Sequence, residues 1–338
     1  MPRWQVNMNT DFFKDRTVAV TGAAGFIGSH LTEALLAAGA RVKALTRYNS
    51  KSDTGWLAAT APHPALTIVA GDIRDPFMVD RLVDGCDTIF HLAALIGIPF
   101  SYTAPQSYVE TNINGTLNIL EAARRHKTRL TLLTSTSEVY GTALRVPIDE
   151  EHPLQAQSPY SASKISADML GNSYHCAFGL PVTIVRPFNT FGPRQSLRAV
   201  IPTIIAQALQ SRCVKLGDTR PVRDFNFVSD TAAGFLAAAQ HAPGRAEVYN
   251  LATGSARTIG ETADLIAELL GTGIEIIHDT SRDRPADSEV MRLLGNAEKA
   301  RRELGWQPAV DFRSGLQRTI AWVRENLQAY ADAASFKS

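Results

Sequence analysis

Short apolar runs rich in β-branched residues alternate, along the first half of the chain, with longer segments whose apolar positions recur every three or four residues. The first run, Thr17-Val18-Ala19-Val20-Thr21, ends at Gly22 and predicts a strand buried on both faces. From Gly25 to Ala38, apolar residues at 27, 31, 35 and 38 share one helical face, and Gly39 supplies a stop. The same reading predicts strands at 42–45, 66–69, 88–92, 130–134 and 182–185, with helices at 114–126 and 161–178 among the segments between them. Strands alternating with helices imply an α/β fold, a doubly wound parallel sheet covered on both faces.

Beyond residue 186 the rhythm changes. Short mixed elements are punctuated by Gly192-Pro193, Ile201-Pro202, Gly217-Asp218, Arg220-Pro221 and Arg284-Pro285. This predicts a smaller α/β domain, 187–330, closing over the strand ends of a first domain, 1–186, with chain crossings between them and a tail at 331–338.

Composition narrows the class. With 34 basic and 33 acidic side chains the formal charge is +1, and 45% of residues are hydrophobic, so disorder and a broad nucleic-acid-binding surface are both excluded. Three scattered cysteines, Cys86, Cys176 and Cys213, read as reduced thiols, and no ligand spacing suggests a metal. No apolar run approaches the ~20 residues of a membrane span, and residues 1–16 lack the apolar stretch of a secretion signal. A cytoplasmic protein is expected.

The junction of the first strand and helix carries Gly22-Ala23-Ala24-Gly25-Phe26-Ile27-Gly28. Gly22 permits a tight turn, Gly25 lets backbone approach a pyrophosphate, and Gly28 allows close helix–sheet packing. The free N–H groups of the helix start complete a phosphate cradle. This loop, Phe26 and Ile27 included, predicts a Rossmann dinucleotide site. At the end of the second strand, Leu45-Thr46-Arg47-Tyr48 offers no acid for a ribose 2′-hydroxyl, whereas Arg47 suits a 2′-phosphate. NADP is therefore favoured over NAD, against the plain reading of Arg47 as a solvated loop residue. Asp72-Ile73 suits the adenine, with an ordinary turn aspartate as the rival reading.

Tyr160 and Lys164 in Tyr160-Ser161-Ala162-Ser163-Lys164 lie one helical turn apart, so an ammonium would stabilise a phenolate able to take a hydroxyl proton. The fifth strand leads into Thr134-Ser135-Thr136-Ser137-Glu138. Thr136 offers a hydroxyl to the same proton. Glu138 offers a carboxylate that hydride transfer alone does not need, which suggests proton abstraction from carbon or elimination; a solvated glutamate at a helix start is the competing reading.

These motifs, with Gly71-Asp72-Ile73-Arg74-Asp75, His91-Leu92-Ala93-Ala94, Asn112-Ile113-Asn114-Gly115-Thr116, Arg186-Pro187-Phe188-Asn189 and Arg223-Asp224-Phe225, resemble the extended short-chain dehydrogenases/reductases of the nucleotide-sugar epimerase/dehydratase group, from about Thr17 to Asn326. The resemblance implies a catalytic Thr136, Tyr160 and Lys164. It implies cofactor contacts also from Leu92, Ala93, Ala94, Asn112 and Pro187. Glucose-type 4,6-dehydratases carry an Asp-Glu pair where this chain has Ser137-Glu138; the Thr-Ser-Glu arrangement is familiar from GDP-mannose 4,6-dehydratases and occurs in UDP-glucuronate decarboxylases. Segments such as Leu95 to Tyr102 and Pro147 to Leu154 are similar to UDP-N-acetylglucosamine 4,6-dehydratases of the legionaminic acid type.

On the substrate side the resemblance implies that Asn189, Arg194, Arg223 and Arg284 meet the diphosphate, ribose or sugar of a nucleotide sugar, with Leu216 and Gly217 lining the base. His91 reads as a packing residue. The expected activity is 4,6-dehydration of UDP-N-acetylglucosamine with a tightly bound, recycled NADP or NAD. The alternatives are a 4-epimerase, a UDP-glucuronate decarboxylase, and a non-catalytic NADP sensor. A homodimer formed through helices near 107–125 and 160–178 is implied as well.

Overall fold

The computed structural model describes residues 11–328, so the tail at 331–338 lies outside the described residues. In chain order the elements are β1 (Thr17–Thr21), α1 (Phe26–Ala37), β2 (Arg41–Arg47), β3 (Leu66–Gly71), α2 (Pro76–Val83), β4 (Thr88–His91), α3 (Ile98–Thr103), α4 (Pro105–Tyr108), α5 (Gly115–His126), β5 (Leu130–Thr134), α6 (Pro159–Phe178), β6 (Val182–Pro187) and β7 (Asn189–Phe191). There follow α7 (Val200–Ser211), β8 (Cys213–Leu216), β9 (Val222–Phe227), α8 (Val228–His241), β10 (Arg245–Leu251), β11 (Ala256–Thr258), α9 (Ile259–Leu270), β12 (Glu275–His278), α10 (Glu298–Leu304) and α11 (Phe312–Glu325).

Seven parallel strands make the main sheet in the order β10-β6-β5-β4-β1-β2-β3. The chain reverses direction across the sheet between β1 and β4, the place where open α/β sheets hold their ligands. Apolar runs with no polar alternation suit strands covered on both sides. On one face, Val18, Val20 and Phe90 pack with Leu31 and Leu35 of α1 and Phe235 and Leu236 of α8. On the other, Ala19 and Ile89 pack with Leu82 of α2, Ile119 of α5 and Tyr174 of α6. The sequence supplies six of these strands by inspection; the seventh, β10, comes from within 187–330 and lies against β6.

The remaining strands form a three-stranded sheet, β11-β9-β7, and a parallel pair, β12-β8. They share a core with α7, α9 and α11 in which Phe225 stacks on Phe312 with 5.5 Å between ring centres and Phe191 meets both rings edge-on. Buried Asp224 of β9 ties this region together, accepting hydrogen bonds from the amides of Thr253, Gly254 and Gly295. No helix among the described residues is long and apolar enough to cross a membrane.

Candidate active site

The β1–α1 turn has the shape its glycines imply. Gly22 adopts φ +68°, and a β-carbon there would lie 2.8 Å from the Ala93 amide nitrogen. At Gly28 a β-carbon would lie 2.1 Å from the Gly22 carbonyl oxygen, so the first turn of α1 is seated directly on the loop. Gly25 caps α1 with no side-chain hydrogen bond, which leaves the N–H groups of Phe26 and Ile27 facing outward at the positive end of the helix dipole. An uncapped helix start over a loop without β-carbons fits a dinucleotide pyrophosphate.

The next loop, after β4, is held by a chain of hydroxyls. Thr21 Oγ1 accepts from the amides of Leu92 (3.1 Å) and Ala93 (3.0 Å) and lies 2.8 Å from His91 Nδ1. Thr116 donates its only hydroxyl proton to the Asn112 carbonyl at 2.6 Å, so His91 Nε2 must donate to Thr116 at 3.1 Å. Nδ1 is then the acceptor for Thr21. Burial, helped by Lys164, pushes His91 down to about 3, and the ring stays neutral. Its place is structural: it fixes the loop that carries Leu92, Ala93 and Ala94.

Asn112 sits in a π-helical turn, Val109–Asn114, between α4 and α5. Its amide grips Leu95 from both sides, donating to the carbonyl at 2.9 Å and accepting from the N–H at 2.8 Å. It also donates to Ser163 Oγ at 2.9 Å, linking the loop to α6. Turns of this wide kind recur at functional sites.

At the adenosine end, Arg47 is exposed at the tip of β2, opposite Gly71 of β3. Asp72 follows Gly71 and binds Arg74 through both carboxylate oxygens, at 3.0 and 2.8 Å; Arg74 holds its carboxyl below the ordinary range, and Arg47 adds to that. Ile73 is buried against Gly115, and its carbonyl accepts from Asn118 at 2.9 Å.

The reactive groups converge where β5 ends. Thr136 caps a short 3₁₀ turn, Ser137–Tyr140, accepting from the Glu138 amide at 3.2 Å. That turn buries Ser137 and leaves Glu138 partly exposed. Opposite, the N-terminus of α6 is fixed by a Ser158–Ser161 capping box. Tyr160 and Lys164 therefore enter the same space from one face of α6, 7% and 5% exposed. Burial pushes the Tyr160 phenol well up; a hydrogen bond from Thr136 opposes this, and the Glu138 carboxylate adds to it. The structure thus brings Thr136, Glu138 and Tyr160 within mutual influence. Burial brings Lys164 down to about 8. Its ammonium donates to the Thr134 carbonyl rather than to Tyr160.

The substrate-side residues divide. Arg223 of β9 and Arg284, 61 positions apart in the chain, meet on one carboxylate oxygen of Glu289, at 2.9 and 3.5 Å. Asn189 starts β7 beyond the buried Pro187, and its Oδ1 is buried without a hydrogen-bond partner. Leu216 is buried, and Gly217 lies against the Arg282 backbone, where a β-carbon would come within 2.9 Å. Arg194 points the other way. It has φ +73°, and its guanidinium binds Glu33 (2.7 Å) and Ser29 (3.1 Å) on α1, bracing the cofactor-side helix. Glu289, Thr21 and Asp168 were not singled out by sequence; the Ser-Glu dipeptide after Arg284-Pro285 and the Asp one turn past Lys164 were the available signals.

A glycine-cradled helix start and a buried tyrosine and lysine on one helix face suit a dinucleotide-dependent enzyme, and two arginines sharing one carboxylate suit an anionic ligand. The family profile for GDP-mannose 4,6 dehydratase matches residues 19–319, and the chain belongs to that family of extended short-chain dehydrogenases/reductases. It is 37% identical over 313 residues to a dTDP-glucose 4,6-dehydratase of Streptomyces antibioticus, covering 91% of this chain and 92% of that protein. The dTDP-glucose 4,6-dehydratase of Streptomyces venezuelae, solved with NAD bound, superposes with a TM-score of 0.85 at 32% identity, covering 94% of this chain and 99% of that one. A UDP-N-acetylglucosamine 4-epimerase from Methanobrevibacter ruminantium superposes with a TM-score of 0.83 at 29% identity, covering 93% and 99%.

Proposed function

We propose that this enzyme is a nucleotide-sugar 4,6-dehydratase, acting on UDP-N-acetylglucosamine, that forms a 4-keto-6-deoxy sugar. The observation that carries the reading is Glu138. The 3₁₀ turn places its carboxylate where it raises the Tyr160 phenol, so the two groups share one region of the site. A 4-epimerase or simple dehydrogenase has no use for that carboxylate.

A nicotinamide dinucleotide held at the β1–α1 turn would supply hydride acceptance at C4 and hydride donation at C6. Tyr160, assisted by Thr136, takes the proton of the 4-hydroxyl. The buried Lys164 ammonium stabilises the phenolate form of Tyr160 that accepts this proton, and the transfer leaves a neutral phenol. The 4-ketone acidifies the hydrogen on C5, and Glu138 removes it. Ser137 is a poor acid, so Glu138 also passes that proton to the C6 hydroxyl as it leaves as water, and a proton taken up from solvent is delivered to C5 as hydride returns to C6. Arg223 and Arg284 hold the diphosphate, exchanging Glu289 for it, while Asn189 donates an amide N–H to the same anion. The UDP-N-acetylglucosamine assignment draws on the similarity of segments 95–102 and 147–154 to legionaminic-type enzymes; dTDP-glucose, named for the relatives, is the alternative substrate.

Arg47, exposed beside the adenosine site, supports NADP. Cofactor released by denaturing the purified enzyme and separated by anion exchange should be NADP, and NAD alone would remove that assignment. For the chemistry, Glu138→Gln should bind the sugar and carry out the first oxidation, seen as reduced-nicotinamide absorbance, yet fail to eliminate water, with turnover down by about 10²-fold or more. Undiminished product formation by this variant would refute the role of Glu138.

A further inference from the structure

Helix α6 carries a third ionisable side chain in line with Tyr160 and Lys164. Asp168 follows Lys164 by one turn and is 1% exposed. Its Oδ2 accepts three hydrogen bonds: from Ser135 Oγ at 2.8 Å, from Arg186 Nε at 3.1 Å and from a terminal nitrogen of the same guanidinium at 2.9 Å. Arg186, 2% exposed, also donates to Tyr140 Oη at 2.9 Å, and that hydroxyl donates to Asn250 Oδ1 at 2.8 Å. The carboxylate is thereby anchored to the end of β5, to β6 and, through Tyr140, to β10. A buried ion pair is a poor way to stabilise a fold, because apolar residues of the same volume usually serve as well. Position gives the pair another purpose. It lies directly behind a lysine whose burial works against its charge, and the Asp168 carboxylate opposes that loss.

We propose that Asp168 is a positioning residue of the reaction: clamped by Arg186 and Ser135, its carboxylate is the counter-charge that keeps the Lys164 ammonium charged and seated against Thr134 beside Tyr160. This rests on Tyr160 and Lys164 being the proton-transfer pair. The ionisable groups around that pair are Asp168 from α6, His91 from β4, Glu138 from the turn after β5, Tyr108 from α4, and Arg186 from β6 behind Asp168. His91 is neutral. The Asp168 carboxylate acts on both partners with one sign, favouring the charged lysine and disfavouring the phenolate. Removing its charge should therefore make both groups release their protons at lower pH. A side chain that only braced the fold would change the height of the pH profile and leave its position alone.

The test compares cofactor-loaded enzyme with its Asp168→Asn, Asp168→Glu and Ser135→Ala variants. Two quantities are read: the pH profile of kcat/KM on the nucleotide sugar, and the onset of phenolate absorbance with a Tyr160→Phe enzyme subtracted, which needs no turnover. Asp168→Asn should move both to lower pH by about one unit, while Asp168→Glu and Ser135→Ala keep the wild-type position. Because Asp168→Asn strands the Arg186 charge, Asp168→Asn combined with Arg186→Met provides a version with no unmatched buried charge; an acid shift smaller than that of Asp168→Asn is expected there, since the lost guanidinium charge acts in the opposite sense. An unmoved phenolate onset in a protein that requires Tyr160 for turnover, or an equal shift in Ser135→Ala, overturns the role of Asp168. Full activity of Tyr160→Phe would instead overturn the proton-transfer reading beneath it.

Discussion

At the residue scale, the site works by giving similar groups different surroundings. Lys164 is buried to the point where its proton is lost near pH 8, and Tyr160 is buried so that its phenol is reluctant to ionise. Each needs the other's charge. Below about pH 8 the ammonium is present, and it is lost as pH rises through that value, so kcat/KM should fall on the alkaline side from about pH 8. Lys164→Met should flatten that limb and lower the rate by about 10²–10⁴-fold, measured on cofactor-loaded enzyme. His91 shows the contrast. Equally buried, it meets a hydroxyl at each ring nitrogen and stays neutral, so His91→Asn should loosen the loop at Leu92–Ala93 without moving the pH profile.

At the element scale, the loop between β1 and α1 is where sequence and structure coincide most closely, because only glycine satisfies its contacts. Gly28→Ala would drive a β-carbon into the Gly22 carbonyl. The cost should be about 1–3 kcal/mol of stability, seen as a lowered Tm, together with loss of co-purifying dinucleotide. Six of the seven sheet strands were legible because each is a short run rich in apolar and β-branched residues. β10 was not, because Arg245-Ala-Glu-Val-Tyr-Asn-Leu251 begins polar and lies among Gly and Pro punctuation; its place is decided by pairing with β6, a contact no local pattern encodes. The π-helical turn at Val109–Asn114 was equally hidden, since its apolar spacing resembles that of the α-helix it interrupts. Asp168 escaped notice for a related reason: an acid four residues after a lysine reads as an exposed helix pair, and only the arrival of Arg186 from β6 and Ser135 from just beyond β5 shows that it is interior. The pairing of Arg223 and Arg284 on Glu289 depends likewise on the lobe that brings β9 to the 284–289 segment.

At the scale of the whole molecule, a net charge of +1 conceals guanidinium groups held against carboxylates. Arg223 and Arg284 face Glu289, Arg186 faces Asp168, and Arg194 faces Glu33. On the proposed function, anion binding at Arg223 and Arg284 is an exchange of partners, which favours a doubly charged diphosphate over a single carboxylate. Arg284→Ala should raise KM for the nucleotide sugar by about tenfold or more while leaving dinucleotide retention intact, measured by kinetics and by the cofactor content of the purified variant. The helices expected to form a dimer present Leu117 on α5 and Met169 and Phe178 on α6 as exposed apolar residues. Sedimentation should accordingly give twice the 36.7 kDa chain mass, and Met169→Glu should give the monomer. The most direct test of the central claim is to incubate the cofactor-loaded enzyme with UDP-N-acetylglucosamine, and in parallel with dTDP-glucose, in heavy water and to weigh the product by mass spectrometry. Loss of one water with gain of one solvent deuterium at C5 is the result predicted. A product of unchanged composition with no deuterium, epimerised at C4, would contradict the dehydratase reading.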